Sequence, residues 1–187
     1  MRKLIFAIHT TLDGVVDHMK IGPPDQETGE YFIRLTRDAG TFLYGRKTYQ
    51  LMVPYWPDVA KNLSGQPAAR AEFARAFDAV DKIIVFSQSL DSAEGEKTRI
   101  VRTGLRDEVL KLKQEQGKNI MTGGVTLASQ LAALGLIDEY HFAVHPIIAG
   151  EGRRLFEGIN LKEKLQLKLV ESKAFKSGVV VLRFLKQ

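Results

Sequence analysis

The sequence predicts an α/β fold built on a mixed, mainly parallel sheet of about eight strands that ends in an antiparallel hairpin. Two observations support this prediction. Short apolar segments alternate with amphipathic helical segments, a pattern typical of right-handed βαβ units and a parallel sheet. The C-terminal segment LQLKLVESKAFKSGVVVLRFLKQ instead gives two alternating strands around a Lys-Ser-Gly turn. At 187 residues, the chain is expected to form a single domain over 1–187.

The strands are predicted from apolar or β-branched runs bounded by turn residues. The first of them precedes a Thr-Leu-Asp-Gly turn, and the second ends at a glycine. The predicted strands are 3–9, 40–44, 81–87, 98–102, 118–122, 138–147, 165–174 and 178–185.

The helices are predicted from apolar residues at three- and four-residue spacing. Tyr31, Phe32 and Leu35 share one side of the first helix, and Gly135 is a suitable C-cap for the last. The Pro-rich segment 52–67, MVPYWPDVAKNLSGQP, is predicted to be a long loop and a candidate lid. The predicted helices are 27–38, 46–53, 68–79, 105–116 and 124–135.

Composition and charge exclude several classes of protein. With no cysteine, the chain has no disulfide, thiolate metal site or cysteine nucleophile, and no metal site is expected. The net charge of +5 comes from Lys and Arg scattered among acids, which disfavours nucleic acid as a partner. The apolar run 4–8 is too short for a signal peptide, and no segment approaches the roughly 20 apolar residues of a membrane span. We therefore expect a soluble, cytoplasmic protein without membrane partners.

The stretch TFLYGRKTYQL, residues 41–51, places two cations where the first turn of a helix is predicted. This turn carries partial positive charge, so acids are the usual neighbours there and cations are disfavoured. Arg46 and Lys47 therefore indicate that an anion joins them, after a turn at Gly45 and beside the hydroxyl of Thr48. A solvated basic turn is the alternative interpretation.

Two further strand ends carry groups that bind anions. The strand 81–87 runs into Ser87, Gln88 and Ser89, although an ordinary polar loop has the same composition. The strand 118–122 runs into a Gly-Gly pair and then a helix whose first turn holds no acid, although a plain tight turn is the alternative. The residues of this second loop are Gly123, Gly124, Val125 and Thr126.

Together, the three strand ends predict one polyanionic ligand, because ligands gather outside the carboxyl ends of parallel strands. A dinucleotide with a pyrophosphate and a phosphorylated ribose fits this pattern, and Arg46 and Lys47 favour NADPH over NADH. A Rossmann fingerprint and a Walker A motif are absent. The segment GEGRRL has Leu155 at the position of the third glycine.

Four segments resemble the dihydrofolate reductase-like superfamily in content and order: TLDG (11–14), GRKTY (45–49), TGGVTLASQL (122–131) and GLIDEYHFAVHPIIAGEGRRLF (135–156). Within it, the chain is most similar to the C-terminal reductase domain of bacterial riboflavin-biosynthesis deaminase/reductases, over nearly its whole length. The resemblance implies a dihydrofolate reductase-like three-layer fold, NADPH as hydride donor, a small-molecule substrate and a homodimer.

The resemblance also implies roles for individual residues. The GRKT residues would hold cofactor phosphates, the serine loop would lie by the phosphorylated ribose, and the Gly-Gly loop would lie under the pyrophosphate. Ala7, on the first strand, would face the nicotinamide. The substrate-binding candidates are Leu12, Tyr49 and Trp56.

Asp13 and Glu30 are the catalytic candidates. A hydride acceptor needs a proton source close by, and Asp13 would sit in the turn beside the active site. Asp-Gly is equally a common turn pair. The position where dihydrofolate reductases carry a carboxylate falls near Gly29, with Glu27 and Glu30 on either side. Tyr49 and an ordered water are competing proton donors.

The histidines carry no chemical prediction. His141 and His145 lie four apart on a predicted strand, roughly 13 Å from each other, which disfavours metal chelation and favours packing or a dimer contact. His9 and His18 have no obvious partners.

The expected function is that of an NADPH-dependent reductase that transfers a hydride to a small heterocyclic or carbonyl/imine substrate. One alternative is a non-catalytic nucleotide-binding dimeric module. The other is a ribosylaminopyrimidine reductase of riboflavin biosynthesis, whose substrate phosphate could be bound by Arg153 and Arg154.

Overall fold

The computed structural model describes all residues from 1 to 187 and contains the strands and helices that the sequence predicts, with two additional helices. The strands are β1 (Leu4–Thr11), β2 (Ala39–Gly45), β3 (Lys82–Phe86), β4 (Thr98–Val101), β5 (Asn119–Thr122), β6 (Glu139–His145), β7 (Leu167–Ala174) and β8 (Val180–Lys186). The helices are α1 (His18–Ile21), α2 (Gln26–Arg37), α3 (Arg46–Met52), α4 (Tyr55–Lys61), α5 (Ala68–Asp78), α6 (Leu105–Gln114) and α7 (Thr126–Ala133).

The strands form one eight-stranded sheet in the order β4-β3-β2-β5-β1-β6-β8-β7. The pairs β2–β3, β3–β4 and β1–β6 are parallel, whereas β8 is antiparallel to both β6 and β7. The predicted mixed sheet with a C-terminal antiparallel hairpin is therefore confirmed. The hairpin turns at Gly178, which has a φ of +87°, a conformation that favours glycine.

The internal contacts of the chain fall into two compact units. Unit 1 comprises Met1–Arg2 and Gly29–Met121, and unit 2 comprises Lys3–Thr28 and Thr122–Gln187. The expectation of a single domain over 1–187 stays a prediction.

Unit 1 has an aromatic core. Phe42 on β2 stacks on Phe77 of α5, with ring centroids 4.8 Å apart. Burying such rings removes a large apolar area from water, and stacking adds to that stabilisation. Tyr49 and Val53, which follow the GRKT turn, belong to the same buried cluster. The core therefore anchors α3 and, with it, the position of the residues that begin this helix.

Unit 2 has its core around β1 and β6. The ring of Phe6 contacts those of Tyr140, Phe142 and Phe156 edge-on, at centroid distances of 6.2, 5.9 and 5.9 Å. Phe6 and Tyr140 are paired across the two parallel strands. This packing fixes the register in which the other side chains of β1 and β6 meet.

The prediction of a long loop over 52–67 is wrong, because α4 occupies Tyr55–Lys61 and packs beside α5. Pro54 and Pro57 lie at the N-cap and in the first turn of α4. Proline is tolerated there because the amides of the first turn have no partner within the helix. Val59 is buried, so the segment is part of unit 1's packing.

No helix of the structure has both the length and the apolar character that crossing a membrane requires.

Candidate functional site

Three parallel strands of unit 1 end at the same level. The register pairs Gly45 with Phe86 and Phe86 with Val101, which are the last residues of β2, β3 and β4. The residues that follow are Arg46, Ser87 and Arg102. We call the group formed by Arg46, Lys47, Ser87, Ser89 and Arg102 the unit 1 strand-end cluster.

The cluster is held together by hydrogen bonds from its arginines. Arg46 Nη1 donates to Ser89 Oγ at 2.9 Å and to the carbonyl oxygen of Ser89 at 3.4 Å. Arg102 Nη1 donates to the carbonyl oxygen of Gln88 at 3.3 Å. The two guanidinium groups, which follow the ends of β2 and β4, thus contact the same short loop.

The cations of the cluster have no carboxylate partner. Arg46, Lys47 and Arg102 are exposed and form no ion pair. Other arginines of unit 1 are neutralised, as in the pairs Arg37–Glu72 and Arg99–Glu108. Because guanidinium groups bind phosphate oxygens well, an uncompensated group of three cations is suited to a phosphate dianion.

Ser87 has a local role as well. Its Oγ accepts hydrogen bonds from the amides of Leu90 at 3.0 Å and Ser89 at 3.3 Å, which shapes the loop after β3. A hydroxyl that accepts in this way still has its proton to donate. The loop interpretation and the binding interpretation of Ser87 are therefore compatible.

Gly45 and Thr48 are arranged differently from the expectation of a tight glycine turn. Gly45 has φ −82° and ψ 166°, an extended conformation that any residue adopts. Gly45 is the last residue of β2, and α3 begins directly after it at Arg46. Thr48 is half-buried in the first turn of α3.

The structure places Tyr49 in the core, and its assignment as a substrate-binding residue or proton donor stays a prediction. The side chain is buried, and its hydroxyl oxygen accepts a hydrogen bond from the amide of Glu94 at 2.7 Å. Trp56 is partly buried against Phe73, with ring centroids 4.5 Å apart. Glu30 lies on α2 and is exposed.

In unit 2, the Gly-Gly loop lies between β5 and α7. A Cβ added to Gly123 would lie 3.6 Å from the carbonyl oxygen of Ala7, which is buried on β1. Gly124 has a φ of +80°, which favours glycine. Val125 is buried, and α7 begins at Thr126 without an acid in its first turn. The loop therefore joins two half-buried glycines to the first turn of α7.

Arg153 reaches the beginning of α7. Its Nη2 donates to Thr126 Oγ1 at 2.8 Å. The neighbouring Arg154 is used otherwise, because it donates to the carbonyl oxygens of Asp13 at 3.2 Å and Gly150 at 3.1 Å. The sequence grouped these two arginines as a pair, whereas the structure separates their contacts.

Asp13 accepts several hydrogen bonds that favour its carboxylate form, and its assignment as a catalytic residue stays a prediction. It accepts hydrogen bonds from Thr11 Oγ1 at 2.6 Å and from the amides of Ala149 at 3.1 Å and Gly150 at 2.9 Å. These bonds, that of Thr11 first, lower the pKa of Asp13 to about 2. Asp13 therefore fastens a loop, as the turn interpretation expects. Leu12 beside it is exposed and donates its amide to the carbonyl oxygen of Ile147 at 2.8 Å.

The sequence analysis missed a contact between two histidines. His9 Nδ1 on β1 lies 2.9 Å from His145 Nε2 on β6, so the expectation that His9 lacks a partner is wrong. Burial, and then the neighbouring His145, lower the pKa of His9 to about 4, and burial lowers the pKa of His145. The sequence shows a histidine near the carboxyl end of each of the two strands. Only the register of β1 with β6 reveals that the two side chains are in contact.

Comparison with known proteins agrees with this architecture. The chain is 33% identical over 183 residues to the uncharacterized protein YyaP of Bacillus subtilis (strain 168), covering 96% of this chain and 92% of the relative. A provisionally assigned riboflavin biosynthesis protein from Shewanella sp. PV-4 has a TM-score of 0.70 at 20% identity, covering 99% of each chain.

A second solved structure has a similar fold. It is a diaminohydroxyphosphoribosylaminopyrimidine deaminase/5-amino-6-(5-phosphoribosylamino)uracil reductase from Thermotoga maritima, with a TM-score of 0.67 at 16% identity. The match covers 100% of this chain and 57% of that one. The predicted three-layer α/β reductase fold is thereby confirmed. The model of the RibD C-terminal domain family matches residues 2–181, and the chain therefore belongs to that family.

Proposed function

We propose that this chain is an NADPH-dependent reductase that acts on a small heterocyclic substrate, with a pyrimidine as the first candidate. Membership of the RibD C-terminal domain family supports the reductase class. The observation that carries the choice of cofactor is the unit 1 strand-end cluster, in which three cations lack carboxylate partners beside Ser89.

The chemistry of the cluster fits the 2′-phosphate of NADPH. A phosphomonoester carries nearly two negative charges at neutral pH and offers three acceptor oxygens. Arg46 and Arg102 supply forked donors, Lys47 supplies a mobile ammonium group, and the serines supply hydroxyls. NADH has a neutral ribose hydroxyl at that position, and the cluster would leave its cations uncompensated.

Unit 2 offers groups for the pyrophosphate. Gly123 and Gly124 have no side chains that would keep a ligand from the backbone, and the amides of the first turn of α7 carry partial positive charge. Arg153, bonded to Thr126, adds a cation at the same helix end. We assign Arg153 to the cofactor and Arg154 to loop support. When bound against Ala7, the nicotinamide of NADPH supplies the hydride.

The substrate proposal rests on the similarity to the Thermotoga maritima protein, whose name includes 5-amino-6-(5-phosphoribosylamino)uracil reductase. We propose the same compound as the first probe for this chain. We further propose a homodimer as the functional form. The molar mass in solution, measured by light scattering, tests the dimer independently of activity.

The decisive experiment titrates the purified chain with NADPH and with NADH, followed by nucleotide fluorescence. We expect NADPH to bind about 10- to 100-fold more tightly, because charge-assisted hydrogen bonds to one phosphate contribute roughly 1.5–3 kcal/mol. Equal affinity for the two nucleotides would contradict the assignment of the cluster. NADPH oxidation is then measured with the phosphoribosylaminouracil, dihydrofolate, and a carbonyl and imine panel. Tight binding without turnover of any compound would indicate a nucleotide-binding module.

A further inference from the structure

The two histidines of unit 2 form a built pair. The ring centroids of His9 and His145 are 5.2 Å apart at an interplanar angle of 42°, and Nδ1 of His9 faces Nε2 of His145 at 2.9 Å. His145 is buried, and His9 is half-buried. A nitrogen–nitrogen distance of this length requires one shared proton, because two lone pairs or two N–H groups would repel each other.

The parallel register of β1 and β6 creates this pair. It aligns His9 with Ala143 and Thr11 with His145, so the two histidines lie diagonally on one face. The small, fully buried Ala143 leaves room for the His9 ring beside it. Ala7 lies on that same face of β1, two residues before His9 and about 7 Å along the strand.

Ala7 is the residue against which the proposed function places the nicotinamide. His9 is therefore the next side chain on the face where reduction would occur. Asp13, one of the two catalytic candidates from the sequence, already accepts hydrogen bonds from three donors. A reductase still needs a group that delivers one proton for each hydride the cofactor supplies.

We propose that His9 is the proton donor to the substrate and that His145 is its positioning residue. This inference rests on the proposed reductase function. In the reduction of a C=O or C=N bond, the carbon accepts the hydride and the π electron pair moves to the heteroatom. The heteroatom takes the proton from His9 Nε2, His9 Nδ1 takes the shared proton from His145 Nε2, and His145 Nδ1 takes a proton from solvent. Charge and atoms balance, and both imidazoles end neutral.

The groups that face the pair agree with a neutral relay. His9 and His145 face each other, and the charge of Asp25 raises the pKa of both rings, whereas burial, the larger effect, lowers it. Asp25 itself accepts hydrogen bonds from Thr28 Oγ1 at 2.5 Å and Ser177 Oγ at 2.9 Å. It stays a fixed negative charge there, while burial keeps the two rings uncharged at neutral pH. A neutral imidazole can act as an electrophile and proton donor to a developing oxyanion.

The first test reads the protons directly by nitrogen-15 NMR of the histidine rings in the full chain. Because Nδ1 of one ring faces Nε2 of the other, sharing one proton gives both rings the same tautomer. We expect two neutral rings of the same tautomer at pH 7, and a shift of the His9 ring nitrogens when NADPH is added. A cationic ring, opposite tautomers, or His9 resonances unchanged at saturating NADPH would each overturn the proposal.

The second test compares His9→Gln and His145→Gln with His18→Gln, which alters an exposed histidine of the same unit. NADPH affinity, thermal stability and turnover are measured on whichever compound the wild type reduces. We expect His9→Gln to bind NADPH within about twofold of the wild type and to lose about 10²-fold in kcat, the typical contribution of a general acid. His145→Gln should lower kcat less than His9→Gln does and should change the shape of the pH profile of kcat. His18→Gln should match the wild type.

The outcomes separate the two proposals. A wild type that neither binds NADPH nor reduces any compound contradicts the proposed function, and the proton-donor inference falls with it. A wild type that does both, together with full turnover in His9→Gln, contradicts the inference alone.

Discussion

The two units of this chain use their charges in opposite ways. In unit 1, the strand-end cluster exposes three cations that no carboxylate neutralises. In unit 2, Glu139 is buried and bonded to His141 at 2.8 Å, Arg183 at 2.6 Å and Lys3 at 3.2 Å. Charges satisfied within the fold contribute to folding, whereas charges left over are available to a ligand. Substitutions should therefore separate into those that change stability and those that change binding.

The largest expected loss of stability comes from Glu139→Gln. Its hydrogen bond with His141, and then those with Arg183 and Lys3, hold the pKa of Glu139 well below its usual range. Removing the charge weakens the hydrogen bonds that the buried carboxylate accepts from Arg183 and Lys3, and bonds to a charged group typically contribute about 1.5–3 kcal/mol each. Urea denaturation measures the difference in the free energy of unfolding. Glu171→Gln is the matched control, because Glu171 is an exposed partner of the same Arg183 at 3.9 Å, and it should cost below about 1 kcal/mol. Equal losses in the two variants would contradict the comparison.

The histidine pair predicts a second effect in unit 2, on the acid side of neutrality. The folded-state pKa of His9 is about 4, below the ordinary value of 6.5, so the unfolded chain binds a proton more readily between these values. The contribution of His9 to the free energy of unfolding is therefore fully present above pH 6.5. It falls by about 3 kcal/mol in total as the pH drops towards 4. His9→Gln should flatten this slope between pH 6.5 and 4.5. An unchanged slope in urea denaturation would contradict the assigned pKa.

In unit 1, Arg46→Ala should change binding and leave stability nearly unaltered. We expect NADPH affinity to fall about 10- to 100-fold, because one charge-assisted contact to the phosphate is lost, while NADH affinity changes less than about threefold. Arg99→Ala, on β4, is the matched control because Arg99 is already paired with Glu108. Fluorescence titration with both nucleotides checks the result. Parallel losses for NADPH and NADH would show that Arg46 serves the fold or a shared part of the nucleotide.

The smallest expected effect separates two neighbouring glycines of unit 2. Gly124 has a φ of +80°, so Gly124→Ala forces a side chain into the left-handed region at a cost of about 1 kcal/mol. Gly123→Ala would place its Cβ 3.6 Å from the carbonyl oxygen of Ala7, an ordinary contact. In thermal denaturation, Gly124→Ala should have a lower melting temperature than Gly123→Ala. A lower NADPH affinity in Gly123→Ala, at unchanged stability, would sharpen the pyrophosphate assignment.

Local sequence patterns predicted most of the fold. The strands and the long helices are visible because hydrophobic period and turn residues are short-range signals. The contact between Arg46 and Ser89 also follows, since it needs only that β2 and β3 be parallel neighbours. The missed helix α4 has Pro54 at its N-cap and Pro57 in its first turn, positions where a helix tolerates proline, so the prolines did not mark a loop.

The remaining features depend on long-range register. His9 and His145 meet only because β1 and β6 align in one particular way, which no local window contains. The role of Asp13 likewise depends on amides from the distant Ala149–Gly150 segment. The sequence left Asp13 open as a turn residue or a catalytic acid. The bond from Thr11, which lowers the pKa of Asp13 most, is local, whereas the bonds from Ala149 and Gly150 arise only on folding.

The hydrogen bond from the Glu94 amide to Tyr49 has a consequence for motion. Tyr49 is rooted in the core of unit 1, and Glu94 lies in the connection 87–97 between β3 and β4. The bond attaches this connection to the core close to the start of β4, so the segment that contains the serine loop is shorter than the whole connection. A shorter segment loses less conformational entropy when it becomes ordered. The exchange rate of the Glu94 amide hydrogen, which is bonded to the Tyr49 phenol oxygen, therefore reports how often this loop opens.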